Sequence, residues 1–419
     1  MAAEQPGTTS DGAAVGAPDD LPLAGVLVLD LSQFLAGPVA ALRLADMGAR
    51  VIKVERPRTG EIGRTLAFAG RWRDGDTLSF HAMNRGKESV VADLKDPEDL
   101  AAVRALVERA DVVVQNFRPG VMERLGLDFA TLRELNPRLV YASASGYGAE
   151  GPWASRPGQD LLAQSVSALP WVNVGGVSGS GERPVPVGLA LADHLLSCHL
   201  AQGVCAMLVR AARTGVGGLV ESSLLEGVLD LGSELLTARL NGGPVPPSVG
   251  PHSAHGWLPA PYGTYPTADG HLSIAMAPVD LLGRLLDEPV LAGLTDPDEW
   301  WSRRAEVEKR IADVLATAGT DHWLTVLDAA DVWCAPLLDL EQLLAHDAFA
   351  ALGMTQEVRR PGREPGEPDV AVATVRSPLR VDGVRPGDPW AAPRLGEQGH
   401  VRDAAALLAG RPDRAAGSP

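Results

Sequence analysis

Asp193 is the first residue of this chain to which chemistry can be assigned. It is the one carboxylate in the apolar stretch 186–199, and a carboxylate is rarely buried unless it is paired or hydrogen-bonded. A long apolar helix is predicted to follow it, to about residue 212. Asp is a favoured N-cap residue, so Asp193 has a structural interpretation as a helix cap. The alternative is a nucleophilic or acid/base carboxylate, which a helix start is expected to keep ionised at neutral pH.

A second carboxylate, Asp160, follows Gly158 and Gln159 and precedes another apolar segment. From the residues alone it has an interpretation as a helix cap. The three cysteines form no CxxC pair, so neither a metal site nor a disulfide framework is predicted.

The elements that would position these carboxylates are predicted to form an α/β domain. Residues 26–31 and 50–54 read as buried strands on either side of a helix over 39–47, which is a βαβ unit. Further strands are predicted at 89–94, 111–117 and 139–145. Strands that alternate with helices predict a doubly wound parallel sheet, whose ligands bind at the carboxyl ends of the strands. The first turn, 32–38, has no GxGxxG pattern, which disfavours a nicotinamide-dependent oxidoreductase.

Composition excludes several classes of partner. The chain has 419 residues and a net charge of −16, which argues against nucleic acid or an anionic membrane surface as a partner. The apolar run 187–212 contains Asp193, His194 and His199, so a core helix is predicted there and not a membrane span. Residues 1–21 are predicted to be a disordered leader without signal-peptide features, and a cytoplasmic location is expected.

Several short motifs, taken in order, resemble those of the family III CoA-transferases. That family includes formyl-CoA transferase, crotonobetainyl-CoA:carnitine CoA-transferase and the alpha-methylacyl-CoA racemases. The resemblance runs from about residue 22 to about 408 and rests on residues 23–30 with 36–38, 48–57, 84–89, 116–120 with 124–126, 135–141, 145–148 with 151–152, 260–270 and 395–397. No motif is specific alone, but their order and spacing together are.

The resemblance implies a domain organisation. A large Rossmann-like, CoA-binding domain is built from residues 22–220 and 331–408, and a smaller α+β domain with its linkers occupies 221–330. Residues 409–419 are expected to be a disordered tail. The family forms homodimers in which two ring-shaped chains interlock, and such a dimer is expected here.

The resemblance also implies where coenzyme A binds. The matching residues lie at successive strand ends of the large domain and are Gln33, Phe34, Ala36, Arg56, Lys87, Asn116, Phe117 and Arg124. The phosphates of CoA favour Arg and Lys, and its adenine favours flat apolar contacts such as Phe117. A single Arg taken alone is more often a solvated surface charge. No tightly bound cofactor is expected, since the CoA thioester is the substrate.

The reaction implied by the resemblance moves CoA from an acyl-CoA to a carboxylic acid, with Asp193 as nucleophile. An alternative on the same fold is an alpha-methylacyl-CoA racemase that uses Asp160 as an acid/base. Gln159 stands where the racemases have His, and Gly263 where they often have an acid, so transfer is favoured. A non-catalytic acyl-CoA-binding protein is the other alternative, and the presence of Asp193 in its expected setting argues against it.

Overall fold

The computed structural model describes residues 21–172, 183–245, 250–386 and 389–409. The leader predicted over 1–21 and the tail predicted over 409–419 lie outside these residues, except for Leu21 and Ala409. Within the predicted linker 242–256, residues 246–249 also lie outside them.

The strands and helices follow the chain in this order. The strands are β1 (Leu27–Asp30), β2 (Arg50–Glu55), β3 (Trp72–Arg73), β4 (Asp76–Thr77), β5 (Glu88–Val91), β6 (Val112–Gln115), β7 (Val140–Ser145), β8 (Gly218–Ser223), β9 (Gly263–Pro266), β10 (His271–Ile274), β11 (Cys334–Pro336), β12 (Thr355–Arg360) and β13 (Val370–Val375). The helices are α1 (Ala36–Asp46), α2 (Leu78–Asn84), α3 (Pro97–Val107), α4 (Val121–Leu125), α5 (Phe129–Leu135), α6 (Asp160–Val166), α7 (Leu191–Thr214), α8 (Leu224–Leu231), α9 (Ser233–Leu240), α10 (Val279–Leu285), α11 (Pro289–Ala292), α12 (Pro297–Ser302), α13 (Arg304–Leu315), α14 (Thr320–Asp328), α15 (Leu340–Ala345), α16 (Asp347–Leu352) and α17 (Ala404–Leu408).

A six-stranded sheet in the order β5-β2-β1-β6-β7-β8 carries the candidate site. All its pairs are parallel, and its strands are apolar because helices cover a parallel sheet. Leu29, Ile52 and Val113 face one core cluster together with Val103 and Leu106 of α3. The predicted α/β fold is confirmed, with small antiparallel sheets beside the parallel one.

The strand order reverses at β1, which lies between β2 and β6. The loops that leave neighbouring strands at such a point diverge, and a crevice opens at the carboxyl ends of the strands. The loop from β1 to α1 and the residues that follow β6 therefore meet at this edge. This is where the candidate site residues Gln33, Phe34 and Asn116 lie.

Helix α7 is longer than predicted and begins before Asp193. Its N-cap is Ala190, and Asp193 is the third residue of the helix. The interpretation of Asp193 as the N-cap of its own helix is therefore wrong. Among the described residues, α7 is the one helix long and apolar enough to cross a membrane. However, its Leu196 and Leu200 are buried and it packs on α1, β7 and β8, as a core helix does.

The chain divides into two compact units. The first comprises the described residues up to Ala163, Ala190–Val228 and those from Ala351 onward, and it contains the parallel sheet. The second comprises Gln164–Leu189 and Leu229–Ala350. The domain boundaries predicted from the sequence, 220/221 and 330/331, stay a prediction.

The second unit is built around an antiparallel sheet in the order β11-β10-β9. The hairpin of β9 and β10 pairs Gly263 with Ile274, and it forms around the predicted Asp269-Gly270 turn. A core cluster that includes Tyr265, Leu272 and Ile311 holds its helices on this sheet.

Candidate active site

The loop between β1 and α1 is held by side chains from other segments. Asp30 Oδ1 accepts hydrogen bonds from the Ser32 N–H, at 2.9 Å, and from the Ser32 hydroxyl. Lys53 Nζ donates to the Ser32 carbonyl at 2.8 Å. Because a buried backbone polar group needs a partner, these contacts fix Ser32, the second residue of the loop, in one conformation.

Asn116 and Glu61 hold the next two residues of the same loop. The Gln33 N–H donates to Asn116 Oδ1 at 2.9 Å, and Asn116 Nδ2 donates to the Gln33 carbonyl at 2.6 Å. The Phe34 N–H donates to Glu61 Oε2 at 2.9 Å. Phe34 has a φ of 67°, which is costly for a residue other than Gly and persists only where the surroundings impose it.

The rest of the loop is closely packed onto the start of α1. A Cβ at Gly37 would lie 2.3 Å from Ser32 Cβ, so only glycine fits there. The first N–H groups of α1 have no partner within the helix. One of them, at Ala36, therefore points out of the helix at a position that the loop defines.

The Asp193 carboxylate lies at this end of α1. Its Oδ1 accepts a hydrogen bond from the Ala36 N–H at 3.2 Å. Asp193 is thus in the first turn of α7 and also at the N-terminus of α1, where the partial positive charge of the helix favours an anion. The contact joins residues 157 positions apart in the chain, and no sequence pattern predicts it.

Asp160 is the residue that caps α7. Its Oδ1 accepts a hydrogen bond of 2.6 Å from the Ala192 N–H, in the first turn of that helix. Asp160 is itself the first residue of α6. The backbone before it is fixed by the close approach of Gly158 to Gly146, where a Cβ on either residue would lie within 2.5 Å of the other's Cα. The cap predicted for Asp193 is therefore supplied by Asp160.

Burial dominates the electrostatic setting of Asp193, and the helix start opposes it only in part. Burial raises the pKa of Asp193 to about 6, the charge of Asp160 adds to the increase, and the Ala36 N–H opposes it. The helix start does not hold the pKa of this carboxyl near its ordinary value. Nearby, burial and the charge of Arg43 lower the pKa of His194, against the opposing charge of Asp160. At neutral pH Asp193 is ionised but poorly solvated, which favours nucleophilic attack.

A second cluster of buried charges lies beneath the loop. Lys87 is fully buried and donates to Asp30 Oδ2 at 2.7 Å, to the Pro38 carbonyl at 2.8 Å and to Asn84 Oδ1 at 2.9 Å. An ammonium group has three donors, and all three of Lys87 are used inside the core. The prediction that Lys87 binds a phosphate of CoA is therefore not retained.

The other predicted nucleotide contacts have different surroundings. Arg56 and Arg124 are exposed, and neither forms an ion pair within the described part of the chain. Phe117 is partly buried against the core and lines a cavity of about 300 Å³ with Gln115, Tyr141 and Ser143. Asn116 does not present its amide to the crevice, because both ends of the amide hold Gln33. Its effect on a ligand would be indirect, through the loop.

Sequence reasoning missed the residues that position the loop, Asp30, Lys53 and Glu61. Asp30 and Lys53 are ionisable residues in otherwise apolar strands, and that was the available signal for them. Glu61 lies in a polar segment and gave no signal. Among the described residues, no cluster of His, Cys, Asp or Glu is able to hold a metal ion.

Comparisons with known proteins agree on one family. The profile of CoA-transferase family III matches residues 23–399. The chain is 33% identical over 392 residues to the succinate–glutarate CoA-transferase of Agrobacterium fabrum, covering 90% of this chain and 93% of the relative. It is also 33% identical over 337 residues to the human alpha-methylacyl-CoA racemase, covering 78% of this chain and 80% of the relative.

Solved structures show the same fold. A CaiB/BaiF family protein from Brucella suis superposes with a TM-score of 0.78 at 30% identity, covering 93% of this chain and 99% of that one. A match over nearly the whole chain, in both sequence and structure, is far beyond what a shared sheet topology alone would give. The chain therefore belongs to CoA-transferase family III and is an enzyme of that family.

Proposed function

We propose that Asp193 is the nucleophile of a CoA transfer from an acyl-CoA thioester to an acceptor carboxylic acid. The observation that carries this proposal is the Asp193 carboxylate itself. It is largely buried, it forms no ion pair within the described residues, and it accepts its hydrogen bond from the Ala36 N–H at the start of α1. A carboxylate used only for structure is normally paired with a cation or fully hydrogen-bonded.

The first half of the reaction transfers CoA to the enzyme. A carboxylate oxygen of Asp193 attacks the thioester carbonyl carbon, the C–S bond breaks, and CoA leaves as a thiolate. The product is a mixed anhydride of Asp193 and the acyl group. The thiolate then attacks the aspartyl carbonyl carbon, the anhydride C–O bond breaks, and the first acid leaves as a carboxylate. Asp193 is now a CoA thioester.

The second half repeats these steps with the acceptor acid. The acceptor carboxylate attacks the aspartyl carbonyl carbon and expels the CoA thiolate, which forms a new anhydride. The thiolate attacks the acceptor's carbonyl carbon, and Asp193 is released as a carboxylate. No proton is consumed or released over the cycle, so the reaction needs no general acid. It needs Asp193 to be ionised at the start.

The start of α1 is suited to the charged states of this sequence. Each attack on the aspartyl carbonyl places a negative charge on an oxygen derived from the Asp193 carboxylate. In the resting enzyme one such oxygen already accepts from the Ala36 N–H. An N–H group fixed in advance stabilises such an oxyanion without further reorganisation.

For the nucleotide we propose contacts from the residues that remain available at the same edge of the sheet. Arg56 and Arg124 offer exposed guanidinium groups for the phosphates, and Phe34 and Phe117 offer aromatic faces. Gln33 has a free side-chain amide in the described structure, since only its backbone is held by Asn116. We further propose that the enzyme is an interlocked homodimer and acts in the cytoplasm.

The test is to trap the enzyme-bound intermediate. The protein is incubated with a panel of acyl-CoAs, including those of dicarboxylic acids, treated with hydroxylamine or borohydride, and analysed by peptide mass spectrometry. We expect a modification on the peptide that contains Asp193, and none in Asp193→Ala. The matched control is Asp160→Asn, which we expect to keep the modification. Full CoA-transfer activity in Asp193→Ala would refute the proposal.

Racemisation is the second candidate, because one of the relatives is a racemase and Asp160 lies close to Asp193. It requires Asp160 to exchange a proton with the alpha carbon of the acyl group. One oxygen of Asp160 is already engaged by the Ala192 N–H, and Gln159 and Gly263 depart from the racemase pattern. Exchange of deuterium from solvent into the alpha carbon, lost in Asp160→Ala, would favour this reaction over transfer.

A further inference from the structure

Glu61 is a buried carboxylate that the proposed mechanism does not use. Its side chain is 5% exposed. Oε2 accepts two hydrogen bonds of 2.9 Å, one from the Gly63 N–H and one from the Phe34 N–H. Oε1 has no hydrogen-bond partner within the described residues and lies 3.7 Å from Lys53 Nζ.

The bond to Gly63 has an ordinary explanation. Glu61 is the N-cap of the short 3₁₀ helix Ile62–Arg64, and its side chain accepts from the Gly63 N–H as N-cap side chains do. This cap needs no contact with the loop between β1 and α1. The hydrogen bond to Phe34 joins residues 27 positions apart and holds the loop between β1 and α1. Capping of the 3₁₀ helix does not explain it.

Phe34 is the residue of the loop that most needs to be held. Its φ of 67° belongs to the left-handed region, where a side chain other than Gly or Asn is strained by about 1–3 kcal/mol. Ser32 and Gln33 are held by Asp30, Lys53 and Asn116, and Glu61 is the side chain that engages Phe34. Two residues later comes the Ala36 N–H, which is hydrogen-bonded to Asp193.

We propose that Glu61 is a positioning residue for the Asp193 reaction. It holds Phe34 in its left-handed conformation and so keeps the Ala36 N–H directed at the Asp193 carboxylate. It touches none of the reacting atoms, and its bond to Phe34 is to the backbone N–H and not to the aromatic ring proposed to contact the nucleotide. The inference rests on the proposed role of Asp193, and it adds a residue that controls the hydrogen bond on which that role depends.

The expected consequence is a loss of rate together with a change in the titration of Asp193. The Ala36 N–H lowers the pKa of Asp193, in opposition to burial and to the charge of Asp160. If the loop moves and this bond is lost, the pKa of Asp193 rises. Because only ionised Asp193 attacks, the acidic limb of kcat/KM then moves to higher pH. A displacement of about 1 Å in such a contact costs about 100-fold in rate.

The test compares Glu61→Ala with a control residue in β4, Thr77, that contacts the same 3₁₀ helix. Thr77 Oγ1 donates to the Gly63 carbonyl at 2.8 Å and accepts from the Phe80 N–H as the cap of α2, so Thr77→Val perturbs this 3₁₀ helix and the start of α2 without removing a contact of Phe34. For Glu61→Ala we expect a fall of about 100-fold in kcat and an acidic limb of kcat/KM at higher pH. For Thr77→Val we expect a kcat within a few-fold of wild type and an unmoved limb. Equal losses in both variants without a shift of the limb would overturn the proposal.

A second pair of variants decides the matter if Glu61→Ala does not fold. Glu61→Gln keeps the length and the acceptor oxygen but removes the charge, whereas Glu61→Asp keeps the charge but is one methylene shorter. If Glu61 acts by holding Phe34, Glu61→Gln retains more kcat than Glu61→Asp. The opposite order would mean that its charge matters and not its reach, which contradicts the proposal.

The same series contains Asp193→Asn, so that two failures are told apart. An active Asp193→Asn would refute the proposed function itself. An inactive Asp193→Asn beside Glu61 variants with wild-type kcat and pH dependence would refute only the role of Glu61.

Discussion

Asp30 and Asp193 lie on either side of the loop that leads into α1, and both are withdrawn from water. Asp30 is fully buried and has Lys87 Nζ at 2.7 Å and Lys53 Nζ at 3.6 Å. Among the residues that the structure describes, Asp193 has no cation at such a distance, and it accepts a backbone hydrogen bond instead. Burial raises the pKa of both carboxyl groups. At Asp30 the two lysines overcome it and lower the pKa to about 2, whereas at Asp193 the charge of Asp160 adds to burial and the pKa rises to about 6.

The difference separates a carboxylate that stabilises the fold from one that is available to react. Asp30 completes a cluster of charges that holds the loop and the first turn of α1, through Ser32 and through Lys87 on the Pro38 carbonyl. Asp193 has no counter-ion among the described residues. It lies where the loop directs the Ala36 N–H. Loss of charge should therefore weaken the fold at Asp30 and strengthen it at Asp193.

The largest expected effect is at Asp30. Asp30→Asn leaves Lys87 buried without its carboxylate and leaves Lys53 with Glu61, at 3.7 Å, and the free energy of unfolding should fall by about 3–5 kcal/mol. Urea unfolding at pH 7 measures it. The control is Asp313→Asn, which breaks an exposed ion pair with Lys309 and should change little. Equal stability in the two variants would show that the cluster is not what holds the loop.

The opposite sign is expected at Asp193. Its pKa in the folded state is above the ordinary value of 3.8, so the folded protein binds this proton more tightly than the unfolded chain does. The stabilisation that protonation provides is full below about pH 4 and is lost as pH rises through about 6. Asp193→Asn cannot ionise and should be more stable than wild type by up to about 3 kcal/mol at pH 7.

The pH dependence distinguishes this effect from better packing. The gain in Asp193→Asn should shrink as the pH is lowered and vanish near pH 4, where wild-type Asp193 is protonated as well. Thermal unfolding of both proteins across this range measures it. A gain that does not depend on pH would mean that ionisation of Asp193 carries no cost.

A smaller loss of stability is expected at Lys87. Lys87→Met fills a similar volume but removes the hydrogen bonds from Lys87 to Asp30, Pro38 and Asn84. Asp30 keeps Lys53 as a counter-ion. The free energy of unfolding should fall by about 2 kcal/mol, while the Kd for CoA should not change. In contrast, Arg124→Gln should weaken CoA binding without a comparable loss of stability. The Kd is measured by calorimetry. Weaker CoA binding in Lys87→Met would support the contact between Lys87 and a CoA phosphate that was predicted from the sequence.

The smallest expected effect is at Asp160. Asp160→Asn keeps an oxygen for the Ala192 N–H, so the cap of α7 should survive. The variant removes the negative charge that helps to raise the pKa of Asp193. The acidic limb of kcat/KM should therefore move to lower pH, with kcat at pH 8 within a few-fold of wild type. An unmoved limb would show that Asp160 does not act on Asp193 through its charge.

Much of the fold is predictable because buried parallel strands are apolar along their whole length. Val112–Gln115 and Val140–Ser145 could be located in this way, and α7 from its unbroken apolar run. The start of α7 was misplaced, because an Asp near the start of a helix suits the N-cap position and the third position alike. Asp193 was therefore interpreted as the cap of α7. The side chain that caps α7 is Asp160, which accepts from the Ala192 N–H, 32 residues further along the chain.

The sequence named candidate site residues but could not give their contacts. Asp193, Asp160, Asn116 and Lys87 were all named from the sequence. Both Asn116 and Lys87 were expected to contact the nucleotide. In the structure the Asn116 side chain is hydrogen-bonded to the loop between β1 and α1, and the Lys87 ammonium group is hydrogen-bonded within the core. Residue type and spacing show which groups can bind a phosphate, but whether a donor is already used depends on neighbours far away in the chain.

By itself the sequence determined the fold class and the family, since each depends on local pattern and on the order of motifs, and it named Asp193 as the candidate for the reactive carboxylate. Only the tertiary structure decided what surrounds that carboxylate. Three hydrogen bonds there join segments that are distant in the chain. The Ala36 N–H donates to Asp193, the Ala192 N–H donates to Asp160, and the Phe34 N–H donates to Glu61. The ionisation of a buried group is set by such neighbours and by its distance from water, neither of which exists until the chain is folded.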